Sequence, residues 1–144
     1  ALVLTETGDS THRIVDFAYD QLAAEMARRG GWTLTRTDDS RGFFNSDSLA
    51  TYNVVVFFFT SGDGRQGPLK QGEKAAFRDF ILAGGGFVGI HSAADTYQTS
   101  WPWYTKLVGA AVVDHSAVSQ ATLRVEANSI TSLLPDPWVL RDEW

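Results

Sequence analysis

At 144 residues the chain is long enough for one compact domain with a real core. Hydrophobic and charged fractions of 44% and 20% are ordinary for a globular protein, and a formal net charge of −5 leaves no basic patch to neutralise phosphates, which argues against a nucleic-acid or anionic-membrane surface. No apolar run approaches the roughly 20 residues of a membrane helix, and the lack of cysteine excludes disulfides, thiolate metal sites and cysteine nucleophiles.

The opening Ala1 to Thr5 reads as a first strand, and Glu6 to His12 as a polar loop. From Arg13 apolar residues recur at helical spacing: Val15, Ala18, Leu22 and Met26, with Ile14 and Phe17 widening the stripe. Arg28 and Arg29 suit the negative end of that helix, and Gly30-Gly31 closes it. Trp32 to Thr37 reads as a strand, and Asp38 to Ser48 as a loop with a helical turn. Val54 to Phe59 is apolar without alternation, which predicts a central parallel strand buried on both faces. Ser61 to Gly72 is a glycine-rich loop, and Glu73 to Ala83 a helix burying Ala76, Phe77, Phe80 and Ile81. Trp101 to Val108 reads as a helix started by Pro102, and Ala110 to Val113 as a short apolar strand. Ala121, Leu123 and Val125 mark a half-exposed strand, and Ser132 to Trp144 reads as irregular. Alternating strands and helices predict an α/β fold with a mainly parallel sheet.

The stretch from Ala83 to Asp95 organises the rest. Gly84 closes a helix, Phe87 to Ile90 form a short buried strand, and His91-Ser92 occupy the turn after it. Open α/β sheets bind ligands at that edge, and many hydrolases place a nucleophile on such a corner. The chain has three histidines, His12, His91 and His115, each read as following a strand, so all three map to one sheet edge. Asp9, Asp95 and Asp114 lie near them in sequence. Histidine with carboxylate can hold a divalent ion such as zinc, or can do acid–base work without metal because imidazole titrates near neutral pH; the sequence leaves both open. Local turn-capping is the plain reading of Asp95 and Asp114. Trp101-Pro102-Trp103-Tyr104 is aromatic enough to wall a small polar ligand such as a sugar, or to plug the sheet edge from below. Gly84 to Gly89 and Gly62 to Gly67 both match G-x-G-x-x-G. The first precedes its strand, and the second is separated from its helix by Pro68 and carries Asp63, so neither reads as a nucleotide site.

The block Gly84-Gly85-Gly86-Phe87-Val88-Gly89-Ile90-His91-Ser92-Ala93-Ala94-Asp95 is followed by Trp101-Pro102-Trp103-Tyr104, Leu107-Val108-Gly109-Ala110, His115 and Asp142-Glu143-Trp144. With Thr7-Gly8 to His12, these resemble the trehalose-utilisation (ThuA-like) family along nearly the whole chain. The resemblance implies a flavodoxin-like three-layer sandwich with helices on both faces, similar to class I glutamine amidotransferases, with His91 about where their cysteine stands. It also implies a role in carbohydrate metabolism, on trehalose, other disaccharides or keto-glycosides. Carried over by position, His91, His12 and Asp95 are the expected catalytic set, and Trp101, Tyr104, Asp142 and Glu143 the substrate-binding set. His12, His91 and His115 are the candidate metal ligands. Ser116 stands where the family often has proline.

The expected partner is a small-molecule sugar, with no nucleic acid and no membrane, and a homodimer is compatible with the sequence. The alternative is a non-catalytic sugar-binding or assembly domain. Residues 1–144 read as a single domain cut short at its C-terminus, since a tyrosine and a further strand normally follow Asp-Glu-Trp in the family. Compartment is open, with cytoplasm favoured over secretion.

Overall fold

A computed structural model of the chain describes residues 1–7, 14–61 and 67–142. Contacts divide the chain into two compact units, residues 1–111 and 112–144.

The first unit is built on four parallel strands: β1 (Leu2–Leu4), β2 (Thr35–Thr37), β3 (Val54–Phe58) and β4 (Gly86–Ile90), in the order β2-β1-β3-β4. Leu2 aligns with Thr35 on one side and Val55 on the other, and Val54 aligns with Gly86. Side chains alternate across a strand, so one apolar run feeds two cores. Leu2, Leu4, Val55 and Phe57 face one way and pack with Leu49 of α2 (Ser46–Leu49), Phe77 of α3 (Gln71–Leu82) and Tyr104 of α4 (Pro102–Val108). Val3, Val56 and Phe58 face the other way, against Val15, Ala18, Tyr19 and Leu22 of α1 (Val15–Arg29). Helices therefore cover both faces, and the expectation of a mainly parallel α/β sheet with a central β3 holds. Phe57 is fully buried, stacked 5.2 Å from Phe77 and 5.7 Å from Tyr104. Each such side chain contributes about 1.5–3 kcal/mol by leaving water.

Helix ends follow the residues expected to make them. At φ +72°, Gly30 turns its N–H back to the carbonyls of Met26 and Ala27, and Arg28 and Arg29 both grip Glu25. Glu73 accepts the Lys70 N–H at 2.7 Å and so closes the start of α3. Pro102 begins α4. After α3, Gly84 at φ +99° reverses the chain into β4, a conformation that favours glycine.

Four expectations need correction. Ile14 and Phe17 are exposed rather than part of the stripe: α1 meets the sheet through positions 15, 18, 19 and 22, and Phe17 lies two residues, hence about half a turn, from Val15. β4 is only partly buried, because among the described residues it pairs with β3 alone and leaves Val88 45% exposed. No strand forms at 110–113. Finally, the tail is not all irregular: in the second unit β5 (Ser119–Leu123) pairs antiparallel with β6 (Trp138–Asp142), Ser119 opposite Asp142.

Candidate functional site

β3 and β4 end in the same unusual way. Phe58 and Ile90 are register partners, and the next residue on each strand, Phe59 and His91, has φ +58°. A left-handed conformation at a residue with a Cβ costs about 1–2 kcal/mol and persists only where neighbours enforce it. Here the enforcement is visible. The Phe59 N–H donates to the Ile90 carbonyl at 3.2 Å, and the Phe59 and His91 rings stack at 4.9 Å, 20° from parallel. Matching bends on adjacent strands thus carry an aromatic ring and an imidazole out of the sheet together.

The chain after His91 is pinned from below. Residues His91–Ala94 form a 3₁₀ turn, and the Asp95 N–H returns to the Ser92 carbonyl at 3.0 Å. The Tyr104 hydroxyl donates to the Ala93 carbonyl at 2.7 Å, and Thr96 Oγ1 donates to the Thr60 carbonyl at 2.8 Å. Tyr97, itself at φ +63°, accepts the Leu69 N–H at 2.6 Å. Burial pushes the phenols of Tyr97 and Tyr104 well above the usual tyrosine range, so both remain neutral hydrogen-bonding groups. Two hydroxyls beside this corner, Thr60 Oγ1 and Ser92 Oγ, are buried and have no hydrogen-bond partner among the described residues. A buried polar group left unmatched typically costs about 1–3 kcal/mol.

Of the expected site residues, His91 lies half-buried on the corner. Asp95 is exposed and its carboxylate accepts from the Gln98 amide, so it serves a local turn, the plainer of its two readings. Trp101 packs 5.2 Å from Tyr97 and 5.8 Å from Tyr104, and Tyr104 is fully buried with its hydroxyl engaged by Ala93. The aromatic block therefore supports the corner from beneath. His12, Asp9 and Glu143 lie outside the described residues, as does most of the Gly62 to Gly67 segment.

In the second unit His115 is exposed, with its N–H on Asp114 at 2.9 Å and Nδ1 3.2 Å from the Ser116 carbonyl. It follows no strand, which removes the reason for mapping it to the sheet edge. Asp142 ends β6. Among the described residues no group of three or more His, Asp or Glu is arranged to hold a metal ion, and His12, one of the three histidines read as a ligand set, lies outside them. Thr60, Thr96 and Phe59 were missed by sequence reading. Only the position of Phe59 and Thr60 directly after β3 could have marked those two.

A family model described as ThuA, trehalose utilisation, matches residues 1–144. No curated protein matches the chain. The chain is similar in fold to a protein from Bacteroides uniformis described as ThuA-like, with a TM-score of 0.74 and 24% identity over 99% of this chain and 59% of that one. It thus spans less than two thirds of that protein's length.

Proposed function

The chain belongs to the ThuA family, linked to trehalose utilisation, and from that premise we infer that it acts on a sugar at the β4 corner, with His91 as the acid or base. One observation carries this reading. The fold holds His91 in a left-handed conformation, stacked on Phe59, beside two buried hydroxyls that lack partners among the described residues. Strain at a polar, half-buried residue at the carboxyl end of a parallel sheet is what a pre-organised reacting group looks like.

In this reading the imidazole moves a proton to or from a sugar hydroxyl, and the buried Thr60 and Ser92 hydroxyls lie beneath the corner that presents it. The chain has no cysteine, so a thiol nucleophile has no part in it. His12 is the second acid or base of the proposal, and a divalent ion such as zinc would need it as a ligand beside His91. Asp95 assists only if it leaves Gln98. Trp101 and Tyr104 shape the floor. Asp142, Glu143 and His115 are assigned no role at this corner.

The test is turnover of trehalose and of its keto derivative by the full chain, followed by NMR, with His91→Asn beside it. Removing a general acid or base costs about 10²–10⁴-fold in rate. Loss on that scale in the variant supports the reading, and undiminished turnover contradicts it. The second reading, a non-catalytic sugar-binding domain, is favoured by the turning of Asp95 to Gln98 instead of to His91. Sugar binding with no turnover by either protein would select it. Zinc that co-purifies with the chain and is lost in His91→Asn would add the metal to the first reading.

A further inference from the structure

A polar hollow opens at the exits of β1 and β2. It has a volume of about 390 Å³ and lies between Glu6, residues 38–41, Pro68 and Lys70. The walls are braced by their own hydrogen bonds. Glu6 Oε2 accepts the Ser40 N–H at 2.6 Å, and Glu73 Oε2 accepts the Lys70 N–H at 2.7 Å and the Ser40 hydroxyl at 3.4 Å. Both oxygens of Asp39 hold the Arg41 guanidinium, at 2.8 Å from Nε and 2.6 Å from Nη2. Among the described residues the exposed Asp38 carboxylate and Lys70 ammonium have no hydrogen-bond or ion-pair partner in the protein.

The chemistry of the wall narrows the ligand. The carboxylates of Glu6, Asp38 and Asp39 outnumber the cations of Arg41 and Lys70, so an anion such as a phosphate ester meets net repulsion. No group of three His, Asp or Glu among the described residues is placed to hold a metal. An apolar ligand would strip water from charges and return nothing. A neutral polyol suits all of it, because each hydroxyl can donate to a carboxylate and accept from an ammonium or guanidinium. The volume lies within the range of small-molecule sites.

We propose that this hollow binds a neutral polyhydroxylated molecule the size of one or two sugar rings, with Asp38 and Lys70 as its direct contacts and Glu6 and Arg41 as the frame. Binding here stands whether or not His91 does chemistry. The test is an amide NMR titration of the full chain with D-glucose, trehalose, inorganic phosphate and Ca²⁺ in separate experiments. The amides of Ser40 and Lys70 should move with a sugar and stay still with either ion. Asp38→Asn and Lys70→Gln, both at exposed positions, should each weaken sugar binding about tenfold with the remaining spectrum unchanged. Glu25→Gln on α1 should leave the affinity as it was. Ser40 and Lys70 amides unmoved by both sugars, a response to phosphate or Ca²⁺ instead, or unchanged affinity in both hollow variants would overturn the proposal.

Discussion

His91 carries a Cβ into a region of backbone space that few such residues enter, and its stacking on Phe59 keeps it there. Asparagine tolerates the same conformation, so His91→Asn should remove activity while leaving the unfolding free energy within about 0.5 kcal/mol. A fall of several kcal/mol on chemical denaturation would make the histidine a structural residue. Gly67 is the opposite case. A Cβ there would lie 2.5 Å from the Tyr97 ring and 2.6 Å from Thr96 Cγ2, inside packing that has nowhere to go. Gly67→Ala should therefore destabilise by about 1–3 kcal/mol, read from the midpoint of urea unfolding. The histidine corner was legible because glycine, a short apolar run and a polar turn follow each other in sequence. Thr60 and the cleft of Glu6 and Lys70 were not. Their neighbours come from strands and loops far apart in the chain, and isolated polar residues carry no spacing to read.

Among the elements, β3 and α1 were plain in the sequence for different reasons. An unbroken run from Val54 to Phe58 could only be buried on both faces, and the spacing of Val15, Ala18 and Leu22 only makes a stripe on a helix. β6 was hidden because Trp138-Val139-Leu140 gives no alternation and its partner β5 begins far earlier in the chain. The last turn of α1 yields a pH prediction. Hydrogen bonds from Arg28 and then Arg29 hold the Glu25 carboxyl down at about 2. A carboxylate with a depressed pKa supports the folded state above its ordinary range near 4.3, and that support is lost as pH falls toward 2. An NMR titration should show Glu25 ionising near pH 2, with amide protection in the last turn falling over the same interval. Because all three side chains stand in water, high salt should weaken the effect. Titration of Glu25 near the usual carboxylate value would contradict the arrangement.

For the molecule as a whole, the aromatic core on the α3 face sets stability in the first unit. Phe77 is fully buried and touches the rings of Phe44, Phe57, Phe87, Trp101 and Trp103, so Phe77→Ala should cost about 3–5 kcal/mol. The same burial raises Tyr97 and Tyr104. Groups that hold their protons more tightly when folded add stability that is complete below about pH 10 and declines as pH rises beyond it. Alkaline titration followed by tyrosinate absorbance should show these two of the four tyrosines ionising only as the protein unfolds. Smooth ionisation of all four in the folded protein would mean the core is open to water. The layered fold follows from this burial, and with it the sheet edge on which the corner and the hollow lie. Sugar turnover, kcat/KM for the full chain and for His91→Asn, tests the central claim most directly. The account predicts a loss of about 10²–10⁴-fold in the variant with sugar binding retained. Turnover in the variant equal to that of the native chain would contradict it.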